Sequence, residues 1–307
     1  MIINVGQRTD IPAFYSDWFF ERIKEGFVLV RNPYYPEQIT KYKLNPEVVD
    51  VLSFCTKNPT PMLKRLDEIS SFRQYWSITI TPYGKEIEPN VPNKKEIIAS
   101  VKRLSEKLGK KSVAIRYDPV FISEKYSVDF HLRAFEKLIS ELEDYTEQIV
   151  FSFIDLYEKT KRNFPEARSV TPKEQKVLAK AFAEIGSAHS VSIRSCLENP
   201  EFQKYGIDVS GCLTKEVLEK AIGERLEVPK KKGARADCSC LLGNDIGEYN
   251  TCMHLCKYCY ANYNKETVLR NFKNHNPFSP LLIGEVRKED VIKEAQQHSF
   301  ISNQLTL

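Results

Sequence analysis

The chain has 307 residues, 42% of them hydrophobic and 28% charged, with 45 basic against 41 acidic side chains and a net charge of +4. Such a composition belongs to a folded globular protein; it excludes disorder of the whole chain and gives no general argument for a polyanionic partner. The N-terminus lacks a basic segment followed by an apolar one, and no window approaches about eighteen uninterrupted apolar residues, so the sequence predicts a cytoplasmic protein with no membrane partner.

Short β-rich runs alternate with longer helical patterns along most of the chain. Strands are predicted at 2–6, 27–31, 48–54, 75–81, 112–118, 148–154, 190–195 and 207–212. They are β-branched and in places apolar on both faces, as buried parallel strands are. Helices are predicted at 15–26, 59–70, 93–109, 127–144, 171–186 and 213–223. Asn93, Ser127, Thr171 (followed by Pro172) and Thr214 stand where N-caps belong, and Gly26, Gly109, Gly186 and Gly223 where helices should stop. His131 and His189 read as structural, and Trp18, Phe19 and Phe20 as helix core. About eight strands alternating with helices over residues 1–223 predict a (β/α)8 barrel of the TIM type. No glycine-rich dinucleotide loop follows a strand, which disfavours an open doubly wound sheet. After Gly223 prolines, glycines and lysines precede a run of cysteines. Residues 224–307 therefore read as a C-terminal lobe, packed on the barrel and carrying loops and a short helix near 287–297.

Barrel chemistry sits at the C-terminal ends of the strands. There the sequence places Arg8 and Asp10, Arg31, Lys57, Arg116 and Asp118, and Asp155 and Lys159. Converging at one mouth, the arginines and lysines would suit a small or nucleotide-like anionic substrate, and the aspartates would orient them or transfer protons.

Cysteine usage is uneven: Cys238, Cys240, Cys252, Cys256 and Cys259 crowd together, whereas Cys55, Cys196 and Cys212 are scattered. In a reducing compartment such a cluster points to metal binding or chemistry. Zinc would pair Cys256 and Cys259 as one knuckle, or add His254 in a zinc-dependent hydrolase, but Cys238 and Cys240 make an awkward second knuckle. Three thiolates at the short spacing Cys252, Cys256, Cys259 can instead hold three irons of a [4Fe-4S] cube, with the fourth iron open or ligated by Cys238 or Cys240. A third reading is a nucleic-acid-binding protein with a structural or sensing iron–sulfur cluster. It would use Lys230, Lys231, Lys232 and Arg235 beside the aromatic "YCYANYN".

Cys252, Cys256 and Cys259, with Tyr258 before the last cysteine, resemble the signature of radical S-adenosylmethionine enzymes, and "CKYCY" is similar to the loop of spore photoproduct lyase. The resemblance implies an iron–sulfur oxidoreductase or lyase. S-adenosylmethionine would bind the open iron with Tyr258 near its adenine, and a reductant such as flavodoxin or ferredoxin would supply the electron for a 5′-deoxyadenosyl radical. In those enzymes the cysteine loop precedes most of the barrel; here it follows it, so the lobe must fold back over strands made earlier. The whole chain also resembles an uncharacterised bacterial domain-of-unknown-function family through "RTDIPAFYS", "TKNPTPML", "RYDP", "SFIDLYEKT" and "CSCLLGNDIGEYNTCMHLCKYCYAN".

Overall fold

Apolar runs separated by well-capped helices give a mixed α/β architecture in the computed structural model, which describes residues 1–229 and 239–302. In chain order the first half contains β1 (Ile2–Val5), α1 (Ile11–Phe14), α2 (Ser16–Glu25), β2 (Phe27–Arg31), β3 (Gln38–Lys43), β4 (Val51–Thr56), α3 (Thr60–Leu63), β5 (Gln74–Thr79), α4 (Lys94–Leu108) and β6 (Val113–Val120). There follow α5 (Val128–Leu142), β7 (Gln148–Phe153), α6 (Glu158–Asn163), α7 (Pro172–Ala188), β8 (Ser192–Ser195), α8 (Lys215–Ile222), α9 (Lys265–Lys273) and β9 (Val291–Glu294).

Six strands form one parallel sheet in the order β1-β4-β5-β6-β7-β8, and β2-β3-β9 form a separate small sheet. Every strand pairing of the large sheet is parallel, so all its C-terminal ends open on one side. The expected run at 27–31 is a strand but belongs to the small sheet, where it pairs antiparallel with β3. That at 207–212 makes only a parallel bridge, Arg194 to Asp208, at the outer edge of β8. At the opposite edge β1 meets Asp245 through Asn4 in another parallel bridge. The amide of Leu241 donates to the carbonyl of Leu213 at 2.9 Å, so these two flanking segments also touch. The large sheet thus has six regular strands rather than the eight expected.

The predicted caps form. Side-chain oxygens of Asn93, Ser127 and Thr214 accept amides at the starts of α4, α5 and α8, and Thr171 makes a reciprocal capping box with Glu174 at the start of α7. Gly186 does not stop its helix, since α7 continues to Ala188. A Cβ there would lie 2.4 Å from the Ile193 side chain, so this glycine lets α7 approach β8 closely. The helix expected at 287–297 is replaced by β9, because Gln38–Lys41 of β3 offers an open edge that Val291–Glu294 pairs with; tertiary pairing overrides a weak local pattern. The sequence reading missed α9, although Asn264 caps it by accepting from the Thr267 amide at 2.8 Å.

Aromatic side chains of the strands and of the covering helices stack in the core. Phe54 stacks on Trp76 at 4.0 Å between ring centres, and Phe135 of α5 on Phe182 of α7 at 4.0 Å. Each such buried ring contributes roughly 1.5 to 3 kcal/mol of apolar transfer. Trp18, Phe19 and Phe20 are fully buried, as expected. His131 is buried between the Tyr117 hydroxyl and the Phe121 carbonyl, each at 2.9 Å, and burial lowers its pKa to about 4; it is structural. The C-terminal segment is fastened to the earliest elements, with Trp18 Nε1 donating to the Ser279 carbonyl and Arg22 to that of Phe278. Among the described residues, no helix is long and apolar enough to cross a membrane.

Candidate functional site

A cavity of about 310 Å³ lies where the C-terminal ends of β1, β4, β5, β6, β7 and β8 meet the cysteine loop. Strand ends contribute Asp10, Cys55, Lys57, Arg116, Asp118, Ser152, Asp155, Cys196 and Glu198 to its wall, and the loop contributes Cys252, His254, Cys256, Tyr258 and Cys259. The cysteine loop thus lies against the ends of strands made earlier in the chain.

Asp10 is the main tie between strand ends and loop. Its carboxylate caps α1 at the Ala13 amide (3.0 Å) and accepts from Thr56 Oγ1 (2.6 Å), the Lys57 amide (2.7 Å) and His254 Nε2 (2.8 Å). His254, set between Cys252 and Cys256, is thereby fixed, while its buried Nδ1 has no hydrogen-bond partner among the described residues. Leu255 next to it adopts a left-handed backbone, φ 55°, a conformation that costs a non-glycine residue about 1–3 kcal/mol and marks the tight turn of the loop.

Lys57 and Tyr258 meet over Glu88, which is 1% exposed. Glu88 accepts from Lys57 Nζ at 2.8 Å and from Thr81 at 2.5 Å, and from Lys94 and the Tyr258 hydroxyl. Burial opposes its charge, but Lys57 and Lys94 outweigh it and hold the carboxyl at about 2. Lys57 also lies 5.5 Å from the Tyr258 ring centre. Arg116 pairs with Asp118, which also accepts from Ser152. Glu198 accepts from the Phe153 amide at 2.7 Å, and burial raises its pKa to about 8. Tyr157 donates to Asp155 at 3.1 Å.

The expected single cationic mouth is divided. Arg8, Arg31 and Lys159 line a second hollow of about 750 Å³, which shares Tyr157 and Tyr260 with the first. There Arg8 is bound to Asp245 at 2.8 Å, and Arg31 grips Asp290 with two bonds of 2.6 and 2.8 Å, so both arginines fasten chain segments. Burial raises the neighbouring Glu248 to about 7 against the pull of Arg8 and Arg31. Among the described residues Lys57 and Arg116 are the basic side chains that line the cavity of the cysteine loop, with Lys159 acting on Cys259 from the second hollow, and they share the wall with Asp10, Asp118, Asp155 and Glu198.

The cysteines fall into two sets. Cys252, Cys256 and Cys259 all line the cavity. Burial raises each thiol, Cys256 to about 12, while Lys57 and the amides of Ala261 and Asn262 work in the opposite direction on Cys259, and Lys57 and Tyr258 on Cys256. A lysine and amide donors around three sulfurs are what a negatively charged thiolate cluster needs, so this donor set fits an iron–sulfur group. Cys240 is not part of it. Cys240 joins Cys196 and Cys212, and among the described residues this is the one set of three His, Cys, Asp or Glu side chains whose ligand atoms all lie within 4.8 Å of one another. Three cysteines so placed can bind a metal. In the sequence Cys196 and Cys212 are scattered, 16 positions apart, with Cys240 a further 28 positions on. Their one local signal was position, with Cys196 following β8 directly. Cys238, Lys230, Lys231, Lys232 and Arg235 lie outside the described residues. Tyr258 is turned inward to Glu88, whereas Tyr260 and Tyr263 are half exposed.

A parallel α/β sheet with its charged strand ends and a cysteine-rich loop around one cavity defines the class of protein. The chain belongs to the family described as "Domain of unknown function (DUF1848)", whose model matches residues 2–261. The match takes in all eight cysteines and ends before α9 and β9. No curated protein and no solved structure matches the chain.

Proposed function

We propose that the protein is an iron–sulfur enzyme of the radical S-adenosylmethionine type, with a [4Fe-4S] cluster on Cys252, Cys256 and Cys259 and a small polar substrate in the adjoining cavity. The observation that carries this reading is that all three cysteines line the same cavity as the polar ends of the parallel strands. When bound, a cluster with one iron free of thiolate supplies one-electron reductive cleavage of the sulfonium of S-adenosylmethionine. The placement of Cys240 beside Cys196 and Cys212 supports that vacancy, since it removes one candidate for a fourth thiolate.

The chain's own residues do the rest. Lys57 and the amides after Cys259 balance thiolate charge, and Asp10 holds the loop to β4 and α1 through His254. Tyr258 is fixed by Glu88, which sets its ring as one wall of the cavity. Arg116 offers an anionic group of the substrate a charge-assisted bond, and Asp155 and Glu198 accept or donate protons on the same wall. The cavity is at the lower end of the range for small-molecule sites, which favours a small substrate over a polymer. We further propose that the segments at 207–213 and 240–246 complete a barrel-like enclosure of this cavity.

Anaerobic reconstitution with iron and sulfide, followed by reduction in the presence of S-adenosylmethionine, tests the reading. The expected result is about four irons and four sulfides in the loop's cluster, a paramagnetic signal that changes on adding S-adenosylmethionine, and release of 5′-deoxyadenosine. A cluster indifferent to that compound overturns the radical mechanism.

A further inference from the structure

We propose that Cys196, Cys212 and Cys240 form a second metal centre, which binds a single thiophilic divalent cation of the zinc class and clasps the edge of the sheet to the segment leading into the cysteine loop. This inference does not depend on the function proposed above.

The geometry is that of one ion rather than a polynuclear cluster. Cys212 Sγ lies 3.5 Å from Cys196 Sγ and 3.5 Å from Cys240 Sγ. Thiolates bound tetrahedrally to one zinc at about 2.3 Å are separated by about 3.8 Å. In a cube each thiolate sits on its own iron, so the sulfurs stand farther apart than when they share an ion. The loop cysteines Cys252, Cys256 and Cys259 do not meet the 4.8 Å limit that this set meets. A disulfide would need about 2.05 Å between two sulfurs and would leave the third unexplained.

Local backbone is arranged for a thiolate at Cys240. The amide of Cys212 donates to its sulfur at 3.1 Å and that of Leu213 at 3.5 Å. Gly211 has φ +123°, and a Cβ there would lie 2.8 Å from the Cys240 sulfur, so the close approach requires glycine. Arg116 lies within electrostatic reach of Cys212 and Cys196 and offsets the negative charge that three thiolates leave on a divalent ion. On binding, three thiols release their protons to solvent as three metal–sulfur bonds form.

The three ligands come from three chain segments. Cys196 follows β8, Cys212 follows the Arg194–Asp208 bridge, and Cys240 precedes the bond from Leu241 to Leu213. One ion therefore joins the last strand of the sheet to the segment that flanks β1 and continues to Cys252. Cys196 and Cys212 line the cavity, which gives the ion a path from solvent.

The test uses the full chain purified anaerobically, as wild type, as the triple variant Cys252→Ala/Cys256→Ala/Cys259→Ala, and as Cys212→Ser. The triple variant is expected to retain about one zinc per chain without iron or sulfide. Loaded with cobalt(II), it should show thiolate-to-metal charge transfer and the intense visible bands of tetrahedral coordination. Cys212→Ser should lose these bands and bind zinc at least roughly 100-fold more weakly. If that variant does not fold, cobalt titration of the triple variant and the wild type decides. Absence of a thiolate-bound cobalt spectrum in both overturns the proposal, as does iron with acid-labile sulfide retained by the triple variant. A Cys196–Cys212 disulfide in the native protein also overturns it. A cluster that fails to cleave S-adenosylmethionine defeats the proposed function but leaves this result untouched.

Discussion

Both cysteine sets reach one cavity, the loop set with all three residues and the other through Cys196 and Cys212, but they are assembled in different ways. Cys252, Cys256 and Cys259 come from a single tight turn held by Asp10 and His254, whereas Cys196, Cys212 and Cys240 are brought together only when three separate segments pack side by side. Sulfurs on a turn keep their approximate places even if the rest of the fold loosens. Sulfurs from separate segments keep theirs only through the fold, so a metal bound by them returns its binding energy to the fold. The function and the metal centre proposed above assign chemistry to the first set and cohesion to the second.

The largest expected effect falls on the turn. Cys256→Ala should abolish assembly of the loop cluster, seen as loss of nearly all acid-labile sulfide after reconstitution, yet unfold in urea close to the wild type. A second change attacks what the turn rests on. Asp10→Ala removes a carboxylate that takes four hydrogen bonds and leaves buried donors unpaired, at a cost of about 3 to 5 kcal/mol in urea unfolding. Equal loss of metal from both cysteine sets in that variant would show that they do not differ in this way. Next in size, Gly211→Ala forces a side chain into a positive φ and against the Cys240 sulfur. It should cost about 1 to 3 kcal/mol and weaken zinc retention while leaving sulfide content unchanged.

The smallest effect tests a region outside both sets. Glu248 has its pKa raised by burial from 4.5 to about 7, so between those values the folded chain binds more protons than the unfolded one. Its stabilising contribution is complete below about pH 4.5 and is lost as pH rises through about 7. Glu248→Gln should flatten thermal stability across that window, and an unchanged slope would remove Glu248 from the account.

Much of the fold was legible because its signals are local. The caps at Asn93, Ser127, Thr171 and Thr214 and most of the sheet strands follow from side-chain chemistry within a few residues. What escaped depended on distant partners. β9 is a strand because β3 presents an edge to it, and Phe27–Arg31 was counted with the large sheet because a strand's own residues do not say which sheet it joins. The cysteine loop was visible for its spacing, and the strand-end rule led to the cavity through Asp10, Lys57, Arg116, Asp118 and Asp155. The same rule placed Arg8, Arg31 and Lys159 at that mouth too, because it gives the end of a strand and not the direction of a long side chain. Cys196 and Cys212 had no spacing to reveal them, since only the packing of segments gives their sulfurs a common neighbour.

The first strand carries one more implication. Asn4 Nδ2 bonds the carbonyls of Leu241 and Gly243, and the Asn4 amide that of Asn244, so the edge of β1 waits for partners 237 or more residues downstream. During synthesis on the ribosome that edge stays unpaired until almost the whole chain has emerged, a hazard for misassociation that early folding of the later strands cannot relieve. The same delay orders events usefully. The cavity wall joins the ends of the first strands to Cys252, Cys256 and Cys259, so it is complete only once residues from both ends of the matched region have met.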